Sequence, residues 1–143
     1  MFLSKFLRMA RGIAVCAVCV TPVLAADLKV RIEGIADSGT IHVYVFTSAE
    51  GFPKEENAVT HVNQPGQSGA PMDLSIPVPD SSEYALMAYQ DKNGDGKMNR
   101  LFGMIPQEPY ALSRNPQVFG KPKFSDAAVQ AQDGESIILK LHD

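Results

Sequence analysis

Short segments of alternating apolar and polar residues dominate the first half of the chain. Residues 28–33 and residues 41–46 each follow this period of two, which predicts strands with one buried face. Ser38-Gly39 lies between them and has the composition of a turn. We therefore expect these two strands to pair with each other as a hairpin.

The middle of the chain adds two strands of different kinds. Residues 72–78 alternate again, with Pro77 on the polar face, and proline cannot donate to a strand ladder. This predicts a strand at the edge of a sheet. Residues 84–89 are apolar on both faces, which predicts a central strand.

The C-terminal part predicts two further strands, at residues 127–131 and 136–141, around a turn at residues 132–134. No segment after the first 25 residues shows a long apolar period of 3.6. The fold class that these patterns predict is all-β, an antiparallel β-sandwich of about seven strands.

Two polar segments interrupt the strand pattern. Residues 49–69 are rich in glycine and proline, and we expect their tip, residues 63–69, to be mobile. Residues 91–124 show no strand or helix pattern, and a loop of that length is usually functional or disordered. Its apolar residues predict one long ordered loop packed on the sandwich; they are Phe102, Ile105, Tyr110, Phe119 and Phe124.

The first 25 residues have the composition of a secretory signal peptide. A basic start is followed by a short apolar run, residues 12–24, and then by small residues that suit cleavage after Ala25 or Ala26. We therefore expect a signal peptide at residues 1–25, a single β-sandwich domain at residues 26–143, and a periplasmic or secreted product. No membrane span is expected in the mature chain.

Composition narrows the classes of function. The only cysteines, Cys16 and Cys19, lie inside the leader, so the mature domain has no disulfide, thiol nucleophile or thiolate metal site. Cleavage removes three of the thirteen basic residues and none of the sixteen acidic ones, which takes the formal charge from −3 to −6. That balance disfavours nucleic acids and anionic membrane surfaces as partners.

The strongest chemical motif is residues 91–99, which we call the Asx loop. Oxygen-bearing side chains fall at alternate positions, and Gly96 stands where an EF-hand calcium loop turns sharply. The twelfth position, which should be a bidentate glutamate, is Phe102. The predicted Ca²⁺ ligands are four side chains and one carbonyl, from Asp91, Asn93, Asp95, Asn99 and Lys97.

Other interpretations of these polar residues stay open. The Asx loop can equally be a turn whose side chains bond their own backbone, and Glu108 can supply a late carboxylate. A hydrolase would use Asp91, Asp95 or Glu108 as acid and base. The three histidines lack zinc-site spacing and are expected at the surface; they are His42, His61 and His142.

Several motifs follow one another in a specific order: Phe52-Pro53, Tyr84 to Tyr89, the Asp-x-Asn-Gly-x-Gly-Lys loop, and residues 102–108, 110–115 and 119–127. Their order resembles a family of small secreted bacterial proteins, domain of unknown function 2141. The resemblance implies a sandwich similar to transthyretin-like, carboxypeptidase-regulatory-like and immunoglobulin-like domains, and it implies no activity. Asn99 stands where the family usually has aspartate, which weakens the calcium interpretation.

Together these features predict a non-catalytic binding or accessory module rather than an enzyme. We expect a monomer that meets a protein or glycan partner in the cell envelope, with Ca²⁺ as its one candidate cofactor. The alternatives are the hydrolase described above and a purely structural envelope protein. No cysteine, histidine pair at catalytic spacing or nucleophile motif supports an enzyme.

Overall fold

Nine β-strands make up most of the regular structure in residues 25–131 and 135–143, the parts that the computed structural model describes. They are β1 (Ala25–Glu33), β2 (Gly39–Phe46), β3 (Thr60–Gly66), β4 (Met72–Pro79), β5 (Ala85–Asp91), β6 (Arg100–Leu101), β7 (Ile105–Pro106), β8 (Tyr110–Leu112) and β9 (Ser136–Lys140). A 3₁₀ helix (Glu55–Asn57) and a short helix α1 (Phe124–Ala127) complete the list. Within these ranges no helix has the length and apolarity needed to cross a bilayer. The predicted leader and the turn at residues 132–134 lie outside the described residues.

The strands form two main sheets and one small ribbon. One sheet has the order β4-β1-β9, the other has the order β3-β2-β5-β8, and β6 pairs with β7. The predicted all-β sandwich is confirmed, with nine described strands in place of about seven. The pairing is not wholly antiparallel, because β1 and β9 run parallel.

The inner core lies between the two main sheets. Leu28, Val30 and Ile32 of β1 point into it, and their polar neighbours point away, as the alternation predicts. Val43 of β2 and Leu86 of β5 meet them from the other sheet, and neither is exposed. The sandwich therefore follows from burying one apolar face of each sheet.

The predicted central position of the apolar strand is confirmed, since β5 lies between β2 and β8 and every residue of it is buried. Leu86 and Ala88 face the inner core, whereas Met87 and Tyr89 face a second apolar cluster on the outer side of the same sheet. The segments before β3 and after β5 cover this outer face. The prediction that β4 is an edge strand is also confirmed.

The predicted hairpin between the first two strands is wrong. β1 pairs with β4 and β9 in one sheet, whereas β2 pairs with β3 and β5 in the other. Both strands bury one apolar face in the same inner core from opposite sides. Alternation indicates which face of a strand is buried but not which strand pairs with it. Because β1 and β2 lie in different sheets, residues 34–38 cross from one sheet to the other.

Three other predictions about the loops are wrong. The polar segment that includes the tip at residues 63–69 contains β3, which pairs along β2. Residues 127–131 do not form a strand: α1 ends at Ala127, and only Val129 makes a bridge, with Tyr84. The long segment 91–124 is not free of regular structure, because it contains β6, β7 and β8.

Candidate functional site

The Asx loop begins where β5 ends, and Asp91 organises its first turn. The Asp91 carboxylate is buried: Oδ1 accepts a hydrogen bond from the backbone N–H of Gly94 at 2.7 Å, and Oδ2 accepts one from Gly96 at 2.8 Å. Both glycines have positive φ, 75° and 72°, which suits residues without a Cβ. The carboxylate thus holds the backbone of the loop in a tight turn.

Asp95 organises the exposed half of the loop. Its Oδ1 accepts the backbone N–H of Lys97 at 2.9 Å, and its Oδ2 accepts the side-chain amide of Asn99 at 3.0 Å and that of Asn93 at 3.4 Å. The hydrogen bond from Lys97, followed by that from Asn99, lowers the pKa of Asp95 from its ordinary value. The group is therefore held ionised at neutral pH.

Glu108 clamps the two ends of the Asx loop. It is buried, and its Oε1 accepts the N–H of Lys92 at 3.1 Å while Oε2 accepts the N–H of Asn99 at 3.4 Å. The N–H of Gln107 also donates to the Asn99 carbonyl at 2.8 Å. Glu108 therefore contacts the Asx loop, as the sequence allowed, and its carboxylate accepts hydrogen bonds from backbone N–H groups of the loop.

The predicted metal-ligating residues all lie in this one loop, with Asp91 buried and the others more exposed. Three of the side chains, Asn93, Asp95 and Asn99, contact one another. Across the described ranges no three His, Cys, Asp or Glu side chains group as metal ligands. Carboxylate and amide oxygens are the ligand types that hard cations such as Ca²⁺ prefer.

A histidine pair lies beside the Asx loop on the outer face of the four-stranded sheet. His42 Nδ1 of β2 lies 3.0 Å from His61 Nε2 of β3, and the two rings are within 7° of parallel. The centroid separation of 5.2 Å fits rings that meet edge to edge and share a proton. His42 Nε2 lies 3.8 Å from Asp91 Oδ2, so the loop is connected to β3 through His42.

Burial dominates the electrostatics of this pair. Desolvation, followed by the neighbouring His61, lowers the pKa of His42, although Asp91 opposes the shift. Desolvation also lowers the pKa of His61, and Glu55 opposes it. Both rings are therefore neutral at pH 7, which lets one donate to the other. The prediction that His42 is a surface residue is wrong, since only 6% of it is exposed.

Two buried polar atoms near the histidine pair have no hydrogen-bond partner within the described residues: the Tyr89 hydroxyl and Glu55 Oε1. The Arg100 guanidinium is 3.7 Å from that glutamate oxygen, an ion-pair distance too long for a hydrogen bond. Burial, followed by the neighbouring Tyr44 side chain and then by the charge of Glu55, raises the pKa of Tyr89. Buried polar groups are usually satisfied, so these two atoms are exceptions within the described residues.

The apolar hairpin (residues 100–106) continues directly from the Asx loop. It consists of β6 and β7, and the N–H of Met104 donates to the Leu101 carbonyl at 3.2 Å. The turn residues Phe102 and Gly103 have φ of 53° and 71°. Turns with two positive φ values normally carry asparagine, aspartate or glycine, so a phenylalanine here is unusual.

Large apolar side chains are exposed on and beside this hairpin. Phe102 is 83% exposed and Phe119, in the neighbouring segment, is 98% exposed. The others on the hairpin are Leu101, Met104 and Ile105. The expectation that the loop aromatics anchor the segment is wrong for Phe102 and Phe119, whereas Tyr110 and Phe124 do pack against the outer cluster.

The histidine pair is the arrangement that the sequence did not indicate. His42 and His61 are 19 residues apart and meet only because β2 and β3 are neighbours. A prediction of β3 as a strand next to β2 would have placed the two histidine rings on the same face of the sheet. The motif spacing used for zinc sites describes ligands within one helix or loop, so it does not detect such pairs.

These features define the chain as a small all-β sandwich domain with an Asx loop and an exposed apolar hairpin at one end. It belongs to the family described as an uncharacterized protein conserved in bacteria (DUF2141), whose model matches residues 30–138. No curated protein and no solved structure matches the chain.

Proposed function

We propose that the chain is a non-catalytic binding module of the bacterial cell envelope and that the apolar hairpin is its contact surface. The observation that carries this proposal is the conformation and exposure of Phe102, which combines a φ of 53° with 83% exposure. A left-handed backbone costs a residue with a Cβ about 1–2 kcal/mol. Packing of the exposed ring within the chain offsets little of that cost.

Local strain without a compensating internal contact is typical of functional surfaces. The exposed apolar residues support the same conclusion, because monomeric proteins seldom expose a large contiguous apolar patch without a partner. Leu101, Met104 and Ile105 surround Phe102 in sequence and are all more than 40% exposed. We infer that the hairpin meets a partner in the envelope.

The Asx loop is the proposed support of the hairpin. Asn99 ends the loop, and its backbone is held from both sides by Glu108 and Gln107, which follow the hairpin. A Ca²⁺ ion in the loop would be coordinated by Asp95 and Asn99 and would stiffen the segment from which the hairpin continues. The ion would therefore act on binding through rigidity, without taking part in any reaction.

The hydrolase alternative has less support from the geometry. Both oxygens of Asp91 and both oxygens of Glu108 accept backbone N–H groups, so these carboxylates hold the loop together. Asp95 is likewise engaged with Lys97 and Asn99. A general base must lie within hydrogen-bond reach of the proton that it takes from a substrate.

The proposal is tested by photocrosslinking in the producing bacterium. A photoreactive amino acid replaces Phe102 in one variant and Ile138 in another, since Ile138 is 46% exposed but lies on β9. We expect crosslinked adducts from position 102 and few from position 138. Equal yields at the two positions would show that the hairpin is not the contact surface.

A further inference from the structure

Positive charge gathers on one side of the apolar hairpin. A surface cavity of about 300 Å³ lies against Gly103 and Met104 and is bordered by three basic residues: Lys54, Arg100 and Lys121. Both lysines are exposed. Glu55 offsets the charge of Arg100 at 3.7 Å, which leaves the two lysines as the cationic groups beside the turn.

Exposure of the apolar side chains is highest at the turn of the hairpin: Phe102 is 83% exposed, Met104 67% and Ile105 54%. Phe119 adds a nearly free ring in segment 116–122. Val118 of that segment lines a cavity of about 60 Å³ together with Met104 and Pro106 of the hairpin.

We propose that the apolar hairpin inserts into the interfacial layer of a phosphate-bearing lipid bilayer. Phe102 is the apolar anchor, and Lys54 and Lys121 contact lipid phosphates beside the turn. This inference rests on the proposed function, because it names the partner of the same surface.

The lipid surface fits the described residues better than a protein pocket does. A bilayer accepts protruding apolar side chains without matching their shape, whereas a protein partner must supply a complementary cavity. Phenylalanine and leucine are among the side chains that segments lying in the interfacial layer bury between headgroups and acyl chains. Each lysine near an anionic surface adds attraction even though the whole domain is acidic, since lipid phosphates respond to charges within about a Debye length.

The test measures binding of the exported, purified chain to lipid vesicles by flotation. One set of vesicles contains phosphatidylcholine alone, and the other contains phosphatidylcholine with phosphatidylglycerol. We expect binding to both, with higher affinity for the anionic set. Phe102→Ser should weaken binding to both sets about tenfold or more, because it removes a large apolar anchor. The matched control, Ile138→Ser, removes a half-exposed apolar residue from β9 and should bind like the parent.

The charge arm of the test uses the double variant Lys54→Glu with Lys121→Glu. We expect about thirtyfold weaker binding or more to the anionic vesicles, and a smaller loss on the neutral ones, because each phosphate of phosphatidylcholine is accompanied by a choline cation. Unchanged binding to the anionic vesicles would contradict the assignment of the lysines to phosphate contacts. The thermal melt of each variant is recorded, and a variant that melts well below the parent is replaced by Phe102→Gln or by the lysine-to-glutamine pair.

Failure of this inference can be distinguished from failure of the proposed function. Absence of vesicle binding, or binding that Phe102→Ser leaves intact, overturns the lipid proposal. If position 102 then yields crosslinks only to protein, the hairpin is still a binding surface and its partner is a protein. If position 102 yields no more adducts than position 138, both proposals fall.

Discussion

His42 Nδ1 and His61 Nε2 lie 3.0 Å apart across two neighbouring strands, so a single proton joins the buried ring to the exposed one. The other nitrogen of His42 faces Asp91, the first residue of the Asx loop, at 3.8 Å. A charge on the His42 ring would have to be accommodated in a buried space. We therefore expect the fold to be sensitive to mild acid.

We predict that the free energy of unfolding falls as the pH drops below about 6.5. Both histidines have a lowered pKa in the folded state, mainly because of burial, so the unfolded chain binds more protons in that range. The stabilisation is complete above the unfolded pKa and is lost as the pH falls through the folded values. Urea melts between about pH 7.5 and about pH 5 measure the effect.

The control for this prediction is a comparison of two histidine variants. His61→Asn removes one titrating ring and the neighbour that lowers the pKa of His42, so its stability should depend less on pH. His142→Asn changes an exposed ring outside the pair and should keep the pH dependence of the parent. A parental slope in His61→Asn would show that the pair does not cause the effect.

Phe102→Asn should stabilise the protein. Asparagine tolerates a positive φ, and the native ring is 83% exposed, so the substitution relieves backbone strain and removes little packing. We expect a gain of about 1 kcal/mol in the free energy of unfolding. Phe119→Asn, at a position not among those with positive φ, should give no gain. A loss of stability in Phe102→Asn would mean that the ring packs on the protein.

Calcium should raise the melting temperature of a sample that was first stripped of metal. Because the Asx loop offers few charged ligands, we expect a dissociation constant for Ca²⁺ of about 10⁻⁴–10⁻³ M. At about 10 mM Ca²⁺ and a constant of ~10⁻⁴ M, binding to the folded state contributes about 2.7 kcal/mol. Mg²⁺ should have a smaller effect, because it requires tighter octahedral coordination. Scanning calorimetry with each ion and with chelator measures the difference.

Variants assign the calcium effect to the Asx loop. Asp95→Ala should abolish the response, whereas Asp80→Ala, an exposed aspartate before β5, should leave it intact. Asp95 is a cleaner probe than Asp91, because Asp91 also holds the N–H groups of the turn. Identical melts of the parent in Ca²⁺ and in chelator would identify the loop as an Asx turn without an ion.

Leu86→Asp should unfold the domain. Leu86 lies in the centre of β5 with no exposed surface, and a carboxylate there would have no partner, at a cost of several kcal/mol. Leu101→Asp introduces the same charge at a half-exposed position and should fold. Circular dichroism and melting curves of the two variants decide the point, and a parental melt of Leu86→Asp would contradict the position of the core.

Export from a bacterial host should yield a chain that begins at Ala26 or Asp27, because the leader has the basic, apolar and small-residue order of a signal peptide. Intact-mass measurement of the exported protein identifies the first residue. Recovery of the full chain in the membrane fraction would indicate an uncleaved anchor.

Burial could be predicted from the sequence more successfully than pairing. The alternation in β1 and the two-sided apolar character of β5 placed both strands on the correct faces, because burial acts on each residue separately. The pairing of β1 with β9 joins residues more than 100 positions apart, such as Lys29 and Ser136. No local pattern in either segment specifies that partner.

The part of the candidate site that is built from residues close in sequence could be predicted. The Asx loop and the contribution of Glu108 come from residues close in sequence, and the structure brings them together. The histidine pair depends on β3, a strand whose polar residues and Pro65 resemble a loop. The exposure of Phe102 was also missed, since an apolar residue in a long loop usually packs inward.

The position of β1 between β4 and β9 constrains how the molecule can be made. The central strand of that sheet has one neighbour from the middle of the sequence and one from its last residues. A ribosome or a translocation channel that still holds the C-terminal strand would leave one side of β1 open. The sheet can therefore close only after β9 has emerged, and until then an unpaired strand edge is exposed to chaperones and proteases.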